Sequence, residues 1–182
     1  MVYVHLAEGF EEIEALACVD ILRRGGIQTL LVSVSGAQLV RSVRGVGVEA
    51  DLLFEEADYE ACEMLVLPGG MPGAKNLQEH QGLTRQIHRF AEAGKGIAAI
   101  CAAPMILGHA GLLSGRRATI YPGMEAHLQG ASISADRVVA DGNLITSKGP
   151  GSAMEFALAI VAALKGSETA EILKKDLVMY EQ

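Results

Sequence analysis

Tryptophan is absent from this chain of 182 residues, and four phenylalanines and four tyrosines supply all of its aromatic surface. A core must therefore come from aliphatic side chains, and half of the residues are hydrophobic while a fifth are charged, which excludes a disordered chain. Cysteine is scarce. Cys18, Cys62 and Cys101 are an odd, widely spaced set with no C-x-x-C pair and no His/Cys cluster at ligand spacing, so neither a disulfide framework nor a metal site is expected. Positive charge is also thin. With a net charge of −7 and no basic run longer than two residues, as in Arg23-Arg24 and Arg116-Arg117, the chain has no footprint for nucleic acid.

The segment Met1 to Gly9 has no basic region and carries Glu8 early, so no secretory signal is expected and a reducing, cytoplasmic setting is the default. From Gly96 to Gly115 there is no Lys, Arg, Asp or Glu. Pro104, His109 and an alanine-rich, glycine-interrupted composition argue against reading this run as a membrane span. A buried strand, turn and helix explain it better.

What is present is an alternation of short apolar runs and helical periodicity, which predicts one α/β domain over 1–182. Strands are expected at Val2 to Ala7, Ile27 to Val34, Met64 to Leu67, Ile97 to Ile100, Ser132 to Ala140 and Leu144 to Ser147, with a small antiparallel addition between Leu39 and Val48. Helices are expected at Phe10 to Arg24, Leu83 to Ala93, Met105 to Leu113, Ala153 to Leu164 and about Glu168 to Lys175. Ser152-x-x-Glu155 reads as a capping box for the fourth of these. The result is a doubly wound, mostly parallel sheet, whose ligands belong beyond the carboxyl ends of the strands. The loops at Glu8-Gly9, Gly69-Gly70 and Gly149-Pro150-Gly151 fall at that edge.

Cys101 ends an apolar strand and precedes a helix, where unpaired N–H groups favour a thiolate. The alternative is a small buried hydrophobe, the usual state of a free cysteine. Glu14 is the second signal. At about 100° per residue it falls in an arc with Ile13, Ala17, Cys18, Ile21 and Leu22, and so faces the core. There it either pairs with Arg23 or Arg24 or keeps a proton near neutral pH, in which case it can exchange that proton with Cys101. The N–H groups of Gly70 and Ala102 are the candidates for an oxyanion hole. Of the five histidines, His5, His80, His88, His109 and His127, none is placed to complete a triad. The glycine loop matches neither nucleotide-binding pattern.

Four motifs in order, Glu8-Gly9-Phe10-Glu11-Glu12-Ile13-Glu14, Leu67-Pro68-Gly69-Gly70, Ala98-Ala99-Ile100-Cys101-Ala102-Ala103-Pro104 and Thr146-Ser147-Lys148-Gly149-Pro150-Gly151, resemble the ThiJ/PfpI superfamily in its DJ-one (Parkinson-disease protein) branch. The resemblance covers nearly the whole chain. It implies a flavodoxin-like fold with a nucleophile elbow and a homodimer, with Cys101 as the reactive cysteine and Glu14 as its protonated partner. It implies a pocket involving Arg24, Arg44, Tyr121 and Pro150, with the two arginines near the thiol at the dimer interface. Neither a cofactor nor a metal is implied. Activities in the family include cofactor-independent conversion of methylglyoxal or glyoxal to the hydroxy acid, repair of glycated side chains, redox-regulated chaperoning under oxidative stress, and proteolysis. Tyr121 stands where some glyoxalase-active members carry a histidine before proline. Ala102 stands where the proteolytic branch has a histidine after the cysteine, which argues against a protease.

Overall fold

A computed structural model describes residues 1–179. Its centre is a sheet of seven strands in the order β10-β11-β7-β6-β1-β2-β5, comprising β1 (Val2–Leu6), β2 (Thr29–Ser33), β5 (Leu52–Leu53), β6 (Met64–Leu67), β7 (Gly96–Ile100), β10 (Val138–Asp141) and β11 (Leu144–Ser147). Every neighbouring pair is parallel except β10 with β11. Two small pairs lie outside this sheet: the antiparallel β3 (Leu39–Arg41) and β4 (Gly47–Glu49), and the parallel β8 (Arg117–Ala118) and β9 (Ser132–Ile133).

The central strands are apolar on both faces because both are covered. Val2, Val4 and Leu6 of β1 join one core, with α1 (Glu12–Arg24), α5 (Ala153–Lys165) and α6 (Ser167–Asp176). Tyr3, Leu65 and Leu67 join the other, with α2 (Gly73–Glu79), α3 (Gln81–Glu92) and α4 (Pro104–His109). This is the flavodoxin-like layering expected of a mostly parallel sheet. The chain leaves β1 for β2 on one side and returns to β6 on the other, so the topological switch point lies between β1 and β6.

Several local expectations are corrected. Helix α2 follows Pro72 in a stretch to which no element was assigned, and the strand expected over Ser132 to Ala140 is broken between β9 and β10. Ser134 Oγ donates to Asp136 Oδ2 at 2.8 Å, and that turn interrupts the strand. The Ser152 capping box does not form: Ser152 Oγ is engaged with Ser147 Oγ and the Gly149 backbone, and Glu155 pairs with Arg137 Nε at 2.7 Å. On α1, Ile13 and Leu16 are exposed, at 55 % and 38 %, so the buried stripe runs through Glu14, Ala15, Cys18, Val19, Ile21 and Leu22.

Candidate active site

Cys101 sits directly after β7 with φ 63°, a left-handed conformation that a side chain with a Cβ adopts only under constraint. The constraint is visible on both sides of it. Its N–H donates to Ser147 O at 2.8 Å and its carbonyl accepts from Tyr121 N at 2.9 Å, so β11 and the loop after β8 fix the turn. The elbow expected from the sequence is present, and the side chain is 8 % exposed.

Glu14 reaches the same place from α1. Glu11 caps that helix by accepting from Glu14 N at 2.8 Å, which sets the helix phase and turns the Glu14 side chain inward. The carboxyl is 1 % exposed; Oε2 accepts from Gly69 N at 2.7 Å, while Oε1 is buried with no full hydrogen bond. The Cys101 thiol lies beside the carboxyl, and each group shifts the other's ionisation. Among the described residues no ion pair holds Glu14; Arg23 reaches Asp51 and Arg24 reaches Asp20. Gly69 is required here by space: a Cβ on it would stand 2.5 Å from Cys101 Cβ and 2.8 Å from Glu14 Oε2.

Burial pushes the Glu14 carboxyl up to about 7, against the pull of the Gly69 N–H and the thiol. Burial, and then an ionised Glu14 beside it, push the Cys101 thiol up to about 12, against the N–H groups of Gly70 and Ala102, which lower it. Two adjacent anions are thus unfavourable: the pair is neutral while both protons are held, and loss of the first, at about 7, leaves one negative charge for the pair. When the carboxyl holds the remaining proton, negative charge on the sulfur is favoured by the N–H groups of Gly70 and Ala102. The local backbone environment that favours a thiolate, evident in the sequence, is opposed by a burial that the sequence did not reveal.

The other pocket residues fall into two groups. Tyr121, Pro150, Arg137 and Lys148 line a hollow of about 180 Å³ together with Gly149. Gly149 connects this hollow to the thiol, since a Cβ on it would lie 3.9 Å from Cys101 Sγ. Arg137 and Lys148 were not singled out from the sequence, because nothing local distinguishes them from other surface cations. Arg24 lies ten residues beyond Glu14 along α1, about 15 Å by helical rise, so it does not reach the thiol of its own chain. Arg44 is exposed in the turn between β3 and β4, a hairpin stitched to the Gly9-Phe10 loop through Gly9 N to Arg41 O and Val43 N to Phe10 O, both 2.8 Å. Neither arginine bears on the ionisation of Cys101 within one chain.

His5 and His80 are structural: His5 is buried and contacts Tyr59, and His80 Nδ1 caps α3 by accepting from Leu83 N at 3.0 Å. His109 and His127 meet each other rather than the thiol. Among the described residues, no group of three or more His, Cys, Asp or Glu is arranged to hold a metal ion, and no helix is long and apolar enough to cross a membrane.

A left-handed cysteine at a strand-to-helix elbow, backed by a buried carboxyl at the switch point of a mostly parallel sheet, defines a class of α/β proteins with a flavodoxin-like fold. The chain belongs to the DJ-1/PfpI family, whose model matches residues 1–163. It is 39 % identical over 179 residues to Protein dj-1beta of Drosophila melanogaster, covering 97 % of this chain and 95 % of that protein. It is also 39 % identical to Protein DJ-1 homolog B of Arabidopsis thaliana, of whose length it spans only 40 %. Glutathione-independent glyoxalase DJR-1.2 of Caenorhabditis elegans is 34 % identical over 94 % of this chain and 92 % of that protein. Among solved structures, oxidized Toxoplasma gondii DJ-1 superposes with a TM-score of 0.93 at 38 % identity, covering 97 % of both chains.

Proposed function

We propose that this protein converts small reactive dicarbonyls such as methylglyoxal or glyoxal to the corresponding hydroxy acid without a cofactor. The observation that carries this reading is the buried Cys101–Glu14 pair, which shares one proton between a nucleophile and an acid-base group. Cys101 thiolate adds to the aldehyde carbon, and the protonated Glu14 gives its proton to the new oxygen, leaving a hemithioacetal and a carboxylate. That carboxylate takes the proton from the sulfur-bearing carbon and returns it to the neighbouring carbon, while the hemithioacetal hydroxyl proton passes to the neighbouring carbonyl oxygen, so that a thioester carbonyl and an adjacent hydroxyl result. Water then hydrolyses the thioester, releasing the hydroxy acid and restoring the thiol. Electrons move only within the substrate, so no external oxidant is required. The glyoxalase named among the relatives supports the reading at the level of the family. Methylglyoxal consumption by Cys101→Ala, followed with purified protein, is expected to fall to background; undiminished turnover would overturn the proposal.

A second reading, a redox sensor or redox-regulated chaperone, rests on the N–H groups of Gly70 and Ala102, which favour negative charge on the sulfur and would equally favour a sulfinate. Cys18 and Cys62 are 0 % exposed, whereas Cys101 keeps 8 % exposure. Mild peroxide should therefore add two oxygens at Cys101 alone, as read by mass spectrometry of peptides; equal oxidation of all three cysteines counts against a tuned site. Repair of glycated side chains would use the same nucleophile. The cytoplasm is the setting we propose. The exposed Ile13 and Leu16 of α1 and Leu39 and Val46 of the hairpin support a homodimer, in which Arg24 or Arg44 could approach the partner's pocket.

A further inference from the structure

His109 and His127 are separated by seventeen residues, yet their rings meet on the surface with centroids 5.4 Å apart and planes at 76°. His109 Nε2 and His127 Nδ1 are 3.5 Å apart. The backbone is shaped for this approach. A Cβ at Gly108 would stand 2.0 Å from His127 O, so only glycine lets the turn Glu125–His127 lie against the end of α4. On the far side of the His109 ring, the Gln78 side-chain amide lies 2.7 Å from Nδ1.

We propose that His109 Nε2 and His127 Nδ1 form a chelate for a divalent cation of the zinc type, a site apart from the thiol pocket. Two imidazole nitrogens bound tetrahedrally at about 2.0–2.1 Å lie about 3.3 Å from each other, close to the separation found here. A ligating histidine ordinarily donates its other ring N–H to a carbonyl or carboxylate. The Gln78 amide oxygen serves that purpose, since the oxygen and nitrogen of a glutamine amide exchange places by a flip. His109 then carries its proton on Nδ1 and frees Nε2. The proton that the two facing nitrogens otherwise share moves to an outward nitrogen or to solvent when the cation enters. Among the described residues there is no third side-chain ligand, so water fills the remaining positions.

The site would fasten a segment that matters to the thiol. His127 N donates to Met124 O and Met124 N to Tyr121 O, both at 3.0 Å, and Tyr121 N holds the Cys101 carbonyl. A cation between His109 and His127 therefore ties the loop carrying Tyr121 to the helix that follows the elbow.

The test uses zinc chloride and full-length Cys101→Ser protein, so that the reactive thiol does not compete for the metal. Calorimetric titration is expected to show one bound zinc ion per chain that is lost in both His109→Gln and His127→Gln made on that background. In proton NMR of the parent, the imidazole resonances of both histidines should shift together with zinc. The circular dichroism of each variant shows whether it is folded. Zinc binding of equal stoichiometry in folded His127→Gln protein, or no zinc binding by the parent, overturns the proposal.

Discussion

His5 and Glu14 are both titratable side chains with almost no exposure, 0 % and 1 %, and they lie near opposite faces of the same sheet. His5 shares its face of β1 with Tyr3; its Nε2 meets the Tyr59 hydroxyl at 3.0 Å and its Nδ1 the Val66 carbonyl at 3.4 Å. Both ring nitrogens have partners. Burial lowers the imidazole to about 4, so it stays neutral, and the Tyr59 ring stacks beside it with centroids 6.0 Å apart. Glu14 has one oxygen partnered and one left over, beside a thiol whose proton it can take or give. Equal burial therefore has opposite meanings. A satisfied network is fixed and contributes structure, whereas an incompletely satisfied pair sharing one proton is poised to change state, as a reacting site must be.

The comparison breaks most directly at Glu14. Replacement of Glu14 by Gln keeps an acceptor for the Gly69 N–H but removes the exchangeable proton. Turnover of methylglyoxal should fall by roughly 10²–10⁴-fold, the usual contribution of a positioned acid-base group, while the protein remains folded. Steady-state kinetics and circular dichroism on the same preparation check both halves. Retained turnover would mean that the carboxyl is as structural as His5.

The converse change is His5→Leu, which fills the space but strands the Tyr59 hydroxyl. An unsatisfied buried hydroxyl costs about 1–3 kcal/mol, so the urea midpoint should drop, whereas the rate per folded molecule should not. Lost activity at unchanged stability would place His5 in the chemistry and erase the contrast.

The pH dependence of stability sharpens the same point because the two groups have opposite signs. His5 falls from 6.5 to about 4 on folding, so its contribution is complete above 6.5 and is lost as pH falls through that window. Glu14 rises from 4.5 to about 7, so its contribution is complete below 4.5 and is lost as pH rises toward 7. Each effect amounts to about 3 kcal/mol at its limit. Between 4.5 and 6.5 they oppose each other, and the native protein should show a shallow dependence of urea midpoint on pH. Glu14→Gln should expose a midpoint that falls steadily with acid, and His5→Leu one that falls steadily with base. Parallel curves for both variants would contradict the assignment.

How much of this was legible in the sequence depended on how local the cause was. The alternation of strands and helices was readable because buried apolar runs and glycine stops are local features. Helix α2 was missed because Gly73–Glu79 is short, largely polar and preceded by Pro72. The inward direction of Glu14 followed from helical spacing alone, although Ile13, placed in the same arc, is exposed. The depth of the Cys101 sulfur could not be read, since it is set by Gly69, Tyr121 and Gly149 arriving from three other segments. The pairing of His109 with His127 was likewise hidden, because its cause is the missing side chain of Gly108.

The smallest expected effect separates the buried side of the thiol from its mouth. Gly149 has an extended backbone that any residue adopts, and an added Cβ would meet Tyr121 Cδ2 at 3.4 Å and Cys101 Sγ at 3.9 Å, both ordinary contacts. Gly149→Ala should therefore change stability by no more than about 0.5 kcal/mol. The methyl would nonetheless narrow the approach to sulfur, so a bulky alkylating reagent should slow more than iodoacetamide, with a ratio below about tenfold, or 1.4 kcal/mol. Gly69 lies on the buried side, where the same methyl would be driven into Cys101 Cβ and the Glu14 carboxyl, so Gly69→Ala should impair folding and thiol chemistry together. Second-order alkylation constants for the two reagents, measured beside urea midpoints, test the distinction. Equal slowing of both reagents by Gly149→Ala would show that the methyl disturbs the thiol itself and that the mouth lies elsewhere.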